Sequence, residues 1–214
     1  MRHVAVIDYG MGNLRSVSKA LETVGGDDVS VKVTADPEKI LAASHVVFPG
    51  VGAIRDCITE LKRLQLDHVI REVANSKPLL GICLGMQALL SHSEENEGQD
   101  ALNIIAGNVR HFDIKPADNG KHLKVPHMGW NEVHQTSPHT LWKDIEQDSR
   151  FYFVHSYFVD PADDAVTAAT TAYPDNFTSA ILKDNVFAVQ FHPEKSQHVG
   201  LQLLKNFLNW DGQS

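Results

Sequence analysis

The first half of the chain alternates short apolar runs with stretches in which apolar residues recur at helical spacing. Apolar runs of the kind that forms buried strands lie at 4–7, 29–33, 45–48 and 79–82. Helical spacing is found over 14–24, in a short segment at 40–41, and over 54–73 and 86–90. Strands that alternate with helices predict a parallel sheet covered by helices on both faces.

The second half has a different pattern, with strand-like runs and little helix between them. These runs lie at 109–112, 151–159, 165–171, 179–183 and 186–191. Asp184-Asn185 is typical of a hairpin turn, the polar segment 93–100 predicts a loop, and an amphipathic helix over 200–210 closes the chain. The fold class predicted is α/β, with a mixed, largely parallel central sheet, helices on both faces and antiparallel strands in the C-terminal half. We expect a single domain over 1–214, since no linker or repeat interrupts the pattern.

Composition and charge limit the classes of partner that the protein is expected to bind and the compartment in which it is expected to work. The chain carries a net charge of −8 and no basic tract, which argues against nucleic acid and against an anionic membrane surface as partners. The N-terminal apolar stretch is too short for a signal-peptide core, and no run approaches the ~20 apolar residues of a membrane span. Two cysteines suggest no disulfide framework and favour a cytoplasmic location.

The strongest candidate for chemistry is Cys83, in the motif Gly81-Ile82-Cys83-Leu84-Gly85 between a predicted strand and a predicted helix. This G-x-C-x-G is the thiol counterpart of a nucleophile elbow, and a helix N-terminus favours thiolate. The alternative is a small buried residue in a tight joint, because free cysteine is often core. Cys57 lies in a helical pattern and is expected only to pack.

A thiol nucleophile needs a base, and His192-Pro193-Glu194 supplies an imidazole and a carboxylate at the end of a predicted strand. In extended chain the two side chains project to the same face, so Glu194 can hold the tautomer of His192. The alternative is a strand end with an incidental histidine and a solvated glutamate. Gly50 and Gly52, after the preceding strand, could free peptide N–H groups for an oxyanion at the same sheet edge, although an ordinary turn has the same pattern.

Two further motifs are weaker. Gly10 and Gly12 follow the first strand as in a dinucleotide fingerprint, but Arg15 stands where the third glycine belongs. A metal cluster of His122, His127, His134 and His139 fits no standard spacing, so scattered surface histidines are expected. We therefore predict no metal and no cofactor.

The motifs together resemble those of the triad glutamine amidotransferases, and among them the glutaminase subunits of imidazole glycerol phosphate synthases. The resemblance covers nearly the whole chain. It rests on six blocks that occur in order: Asp8 to Asn13, Pro49 to Ala53, Gly81 to Gln87, Val125 to Asn131, Phe153 to Tyr157, and Gln190 to Ser196.

The resemblance implies a role for each matching residue. Cys83 attacks the side-chain amide of glutamine, His192 shuttles protons and Glu194 orients His192. Gly50 and Val51 offer the oxyanion donor, after a peptide rearrangement when the partner is engaged. The residues implied to hold glutamine are Gly52, Gln87, Ser156 and Tyr157. The residues implied to contact the partner are Asn13, Met128, Trp130, Tyr152 and Lys195.

The partner implied is a (β/α)₈ cyclase that combines the ammonia with a phosphoribulosyl aminoimidazole-carboxamide nucleotide. Its products are imidazole glycerol phosphate and aminoimidazole-carboxamide ribotide, in histidine biosynthesis. Two other functions remain open from the residues alone. One is a stand-alone thiol hydrolase or glutaminase on the same sheet, and the other is a non-enzymatic flavodoxin-like binding module.

Overall fold

The computed structural model describes residues 1–113 and 124–213. Its strands are β1 (Arg2–Ile7), β2 (Val29–Thr34), β3 (His45–Gly50), β4 (Leu79–Cys83), β5 (His92–Ser93), β6 (Gln99–Asp100), β7 (Gly107–His111), β8 (His127–Glu132), β9 (His134–Gln135), β10 (Arg150–His155), β11 (Tyr157–Pro161), β12 (Thr167–Ala172), β13 (Asn176–Lys183) and β14 (Val186–Val189). Its α-helices are α1 (Leu14–Gly25), α2 (Pro37–Ala42), α3 (Ile54–Arg63), α4 (Leu66–Ala74), α5 (Leu84–Ala88) and α6 (Gln197–Asn209).

One large mixed sheet organises the molecule. Its order is β2-β1-β3-β4-β14-β13-β11-β7-β5-β6, with β12 and β9 continuing from β13. The strands β2, β1, β3, β4 and β14 are parallel to one another. The pairs β14–β13, β13–β11 and β11–β7 are antiparallel, and β7 then pairs parallel with β5. The predicted fold class is confirmed, and so is the hairpin at Asp184-Asn185, where Lys183 faces Val186.

Apolar residues on the two faces of the sheet form two cores. Along β1, Ala5 and Ile7 pack on one side with α2, α3, α4 and α5, while Val4 and Val6 pack on the other with α1 and α6. A strand buried on both faces needs a continuous apolar run, which explains the pattern of the first half. Helices therefore cover both faces, as predicted.

Several predicted boundaries were wrong. The single helix expected over 54–73 is two helices, because Gln65 adopts a left-handed backbone (φ 58°) that ends the helical ladder after α3. The single strand expected over 151–159 is β10 and β11, which belong to different sheets and are separated by Ser156. The segment 93–100 is not only loop, since β5 pairs with β6 across it.

Over residues 1–113 and 124–213, no helix is long and apolar enough to cross a membrane.

Candidate active site

Cys83 lies on a strained turn at the carboxyl end of β4. Its backbone has φ 54° and ψ −110°, a region that L-residues rarely adopt, and it directly precedes α5. The two flanking glycines permit this turn, because a Cβ on Gly85 would lie 1.9 Å from the Phe48 carbonyl oxygen and one on Gly81 would lie 2.8 Å from Ala188 Cβ. The thiol is 7% exposed, at the edge of a cavity.

His192 and Glu194 form a buried pair beside Cys83. Nδ1 of His192 lies 2.9 Å from Oε1 of Glu194, and the two side chains are 2% and 0% exposed. The other ring nitrogen, Nε2, has no hydrogen-bond partner in the described part of the chain. Burial by itself lowers the pKa of His192, but the neighbouring Cys83 and Glu194 outweigh it and raise the pKa to about 10.

The Gly50–Gly52 segment lies across from the thiol. In the parallel pairing of β3 with β4, Gly50 is the partner of Cys83, so both strands end at one edge. Val51 and Gly52 follow as exposed residues that line the cavity, and Gly52 has φ +101°. The backbone of this segment therefore lies beside the Cys83 turn, at the place where an oxyanion site is predicted.

A cavity of about 430 Å³ opens above the thiol. The four residues predicted to hold substrate all line it, namely Gly52, Gln87, Ser156 and Tyr157. It is also lined by Glu95, whose Oε2 accepts a hydrogen bond of 3.0 Å from the Ile54 N–H at the start of α3. Sequence reasoning missed Glu95, because it lies in a polar segment with no motif and reaches the site only through the pairing of β5 with β6.

Gln190 is a second residue that sequence reasoning did not single out. It is fully buried, and its Nε2 donates to Cys83 Sγ at 3.7 Å. Its Oε1 accepts a 3.1 Å hydrogen bond from Gln87, which also donates to the Tyr157 carbonyl at 3.0 Å. The only hint in the sequence was that Gln190 lies two residues before His192, at the end of the same predicted strand.

The histidines were predicted to be scattered on the surface, and for His127 this was wrong. Its side chain is buried, and its Nδ1 lies 2.9 Å from Nε2 of His155, whose Nδ1 lies 2.8 Å from the Tyr157 carbonyl. Burial lowers the pKa of His127 to about 4. Burial and the charges of His127 and His192 lower that of His155 to about 3, despite its bond to the Tyr157 carbonyl.

The His127–His155 pair is therefore neutral at pH 7 and forms a polar chain that reaches the cavity at His155. His122 lies outside the described residues. Among those described, no group of three His, Cys, Asp or Glu side chains could hold a metal ion.

Three of the five predicted partner residues, Met128, Trp130 and Tyr152, lie on the small sheet formed by β8 and β10. Trp130 pairs with Tyr152 in register, and their ring centroids are 6.1 Å apart. Lys195 Nζ lies 5.9 Å from the centre of the Tyr152 ring, and Met128 is 61% exposed. Asn13 precedes α1, a helix that packs on the turn carrying Lys195.

Comparisons with known proteins agree with this geometry. The family described as glutamine amidotransferase class-I matches residues 5–210. The imidazole glycerol phosphate synthase subunit HisH of Nitrosococcus oceani is 59% identical over 214 residues, covering 100% of both chains. The subunit of the same name from Pseudomonas putida is 55% identical over 213 residues, again covering 100% of both.

Solved structures share the fold. PurLQS from Thermotoga maritima superposes with a TM-score of 0.70 at 19% identity, covering 98% of this chain and 99% of that one. A glutamine amidotransferase crystal structure gives a TM-score of 0.71 at 17% identity, with coverage of 96% and 97%. From the family match and from relatives that align over their full length, the chain belongs to the class-I glutamine amidotransferases, and within them to the HisH subunits of imidazole glycerol phosphate synthase.

Proposed function

We propose that this chain hydrolyses glutamine at Cys83 and delivers the ammonia to a cyclase subunit in histidine biosynthesis. The observation that carries the proposal is the grouping of three side chains at one cavity. Cys83 on its strained turn adjoins the buried His192–Glu194 pair, and both open onto a space that fits an amino acid.

The first half-reaction breaks the amide bond. The Cys83 thiolate attacks the side-chain carbonyl carbon of glutamine, and the developing oxyanion takes a hydrogen bond from the Val51 N–H. His192, whose raised pKa keeps it protonated at neutral pH, donates its Nε2 proton to the amide nitrogen. The C–N bond breaks, ammonia leaves, and a γ-glutamyl thioester remains on Cys83.

The second half-reaction frees the enzyme. Nε2 of the now neutral His192 accepts a proton from water, and the hydroxide attacks the thioester carbon. The C–S bond breaks, glutamate leaves, and the thiolate and imidazolium are restored. Glu194 holds Nδ1 throughout and thereby keeps Nε2 directed to the reacting atoms.

The cavity provides groups that suit the two ends of glutamine. Glu95 places a carboxylate on the lining, where it can pair with the substrate ammonium group. Gln87 uses its amide N–H groups on Tyr157 and Gln190, so its carbonyl oxygen is the part left for substrate. Gly52, Ser156 and Tyr157 also line this cavity.

The partner surface proposed is the exposed face of β8 and β10 with the turn at Lys195. Met128 and Trp130 are 61% and 38% exposed there, and aromatic anchors of this kind suit a stable interface. We propose a (β/α)₈ barrel cyclase as the occupant, a heterodimer as the working unit, and a cytoplasmic location. The active site needs neither a metal nor a cofactor for these steps, and neither nucleic acid nor a membrane is proposed as a partner.

The test is glutamate release from glutamine, measured with and without the cyclase and its nucleotide ligand. We expect strong stimulation by the ligand-bound cyclase and no release from Cys83→Ser. The surface variant His68→Asn, with a side chain 81% exposed, should behave as wild type. Equal rates with and without the cyclase would reject the synthase role and favour a stand-alone glutaminase.

A further inference from the structure

The Tyr9 hydroxyl is a buried polar group without a use in the steps above. Tyr9 follows β1, its side chain is 0% exposed, and its ring packs edge-on against Phe48 at 5.7 Å. Its hydroxyl has no hydrogen-bond partner among the described residues. Buried hydroxyls are normally paired, because leaving one unpaired costs free energy.

The hydroxyl lies directly behind Gly50. A Cβ built on Gly50 would be 2.4 Å from Tyr9 Oη. One C–C bond further, the hydroxyl is within about 4 Å of the Gly50 Cα. Gly50 in turn is the register partner of Cys83. Tyr9 does not line the cavity, so it contacts Gly50 from within the hydrophobic core.

The hydroxyl keeps its proton. Burial raises the pKa of Tyr9, and the neighbouring Cys57 and Cys83 raise it further. Cys57 Sγ lies beside the hydroxyl without hydrogen-bond geometry, and burial raises the pKa of that thiol to about 12 despite the nearby Tyr9 hydroxyl. A neutral phenol in this position is a donor that lacks an acceptor.

Gly50, the residue against which the hydroxyl lies, has a backbone carbonyl that makes no hydrogen bond with Tyr9 in this structure. Rotation of the Gly50–Val51 peptide turns the Val51 N–H and the Gly50 carbonyl in opposite directions, because the peptide unit is planar and trans. When the N–H turns to the cavity, the carbonyl turns inward, toward the Tyr9 side.

We propose that Tyr9 is a positioning residue for the oxyanion site. Its hydroxyl does not touch the substrate, but it donates a hydrogen bond to the Gly50 carbonyl when the Val51 N–H faces the cavity. The inference rests on the proposed glutaminase function. Tyr9 then stabilises the working orientation of the peptide and is unpaired in the other orientation.

The experiment compares Tyr9→Phe with wild type in the complex with the cyclase and its nucleotide ligand. Thr171→Val is the matched control, since Thr171 on β12 is 2% exposed and its hydroxyl is also unpaired among the described residues, but it does not line the cavity. We measure kcat and KM for glutamate release, the thermal midpoint, and the rate of Cys83 alkylation by iodoacetamide, which needs no oxyanion site.

For Tyr9→Phe we expect kcat to fall about tenfold, which is the effect of losing one hydrogen bond that stabilises the transition state. KM and the alkylation rate should stay within about twofold of wild type. The thermal midpoint should be unchanged or higher, because an unpaired buried hydroxyl is removed. Thr171→Val should share the thermal result and keep full kcat.

Three outcomes would count against the proposal. An unchanged kcat in Tyr9→Phe would overturn the role of Tyr9 and leave the glutaminase function intact. A matching fall in alkylation rate would show that Tyr9 acts on the thiol instead of the oxyanion site. A wild-type complex that releases no glutamate would reject the proposed function itself.

Discussion

At Gly85 the active-site turn has no room for a single methyl group. A Cβ there would lie 1.9 Å from the Phe48 carbonyl oxygen. This oxygen belongs to the backbone of β3, so it cannot move aside without shifting the strand. We expect Gly85→Ala to lower the free energy of unfolding by more than about 3 kcal/mol, as severe backbone and packing conflicts do. Urea unfolding measures this difference.

The matched control is Gly26→Ala, at a glycine with φ 53° and no atom within 4 Å of the added Cβ. Only the backbone conformation (φ 53°, ψ −145°), which residues with a Cβ rarely adopt, opposes that change, and we expect a loss of about 1–3 kcal/mol. Similar losses in the two variants would show that the Phe48 contact does not constrain the turn.

The charge state of His192 predicts the pH dependence of the reaction. Since its pKa is raised to about 10, the imidazolium is present at pH 7 and is lost as the pH rises through about 10. Glutamate release by the complex should therefore decline on the alkaline side. Glu194→Gln removes one of the groups that raise this pKa, so the alkaline decline should begin at lower pH and kcat should fall about 100-fold or more. A pH–rate profile from 6 to 10.5 tests both statements.

The exposed variant Glu146→Gln is the control for a lost carboxylate and should keep the wild-type profile. An unshifted alkaline limb in Glu194→Gln would mean that Glu194 does not set the charge of His192.

The sequence alone predicted Cys83, His192 and Glu194 as a triad, because each lies in a short motif at a strand end. Glu95, Gln190 and Tyr9 could not be found in that way. Their importance arises from tertiary neighbours: Glu95 through Ile54, Gln190 through Gln87 and Tyr9 through Gly50. Periodicity and motifs carry no information on such contacts.

At the scale of elements, the parallel half was predicted well because buried strands are continuous apolar runs. The breaks between α3 and α4 and between β10 and β11 were not predicted, because the apolar pattern continues through both of them. Leu61 and Leu66 are both buried on either side of the α3–α4 junction, so the helical pattern does not mark the turn at Gln65. In the same way, Phe153 and Val159 are both buried, although Ser156 separates their strands.

The α3–α4 junction offers a stabilising substitution. Gln65 is exposed and adopts φ 58° and ψ 24°, a conformation that costs a residue with a Cβ about 1–2 kcal/mol. Glycine removes this cost but loses more entropy on folding. We expect Gln65→Gly to raise the free energy of unfolding by about 0.5–1 kcal/mol in urea titrations.

Lys62→Gly, three residues earlier in the last turn of α3, should instead lower stability, by up to about 1 kcal/mol, because glycine has a lower helix propensity than lysine. A loss in Gln65→Gly as large as that in Lys62→Gly would argue against the left-handed junction.

At the scale of the whole molecule, exposed apolar residues concentrate near the active-site edge. The large hydrophobic side chains exposed in the described residues are Met1, Val33, Val51, Val125, Met128 and Trp130. Val51 lines the cavity, and Val125 directly precedes Pro126, which lines it too. Met128 and Trp130 continue from there along β8. Val51, Val125, Met128 and Trp130 are thus exposed at or next to the cavity at Cys83, and an apolar surface of this kind suits a protein partner.

Trp130 is the residue on which partner binding should depend most. Its indole ring stands edge-on to Tyr152, and Lys195 lies over that same tyrosine, so the ring is held in place before binding. Aromatic anchors of this kind contribute about 2 kcal/mol or more to an interface. We expect Trp130→Ala to raise the Kd for the cyclase about 30-fold in titration calorimetry while the thermal midpoint changes little, because the side chain is 38% exposed.

Val33→Ala is the comparison variant, since Val33 is 39% exposed on β2, at the edge of the sheet that lies beyond β1. Loss of an exposed apolar side chain there should leave the Kd unchanged. If both variants weakened binding equally, the apolar cluster of β8 would not be the docking surface. If neither did, the cyclase would have to bind elsewhere. The cavity at Cys83, where ammonia is released, opens beside β8. A cyclase bound elsewhere could not receive the ammonia directly from this cavity, so channelled transfer would be rejected.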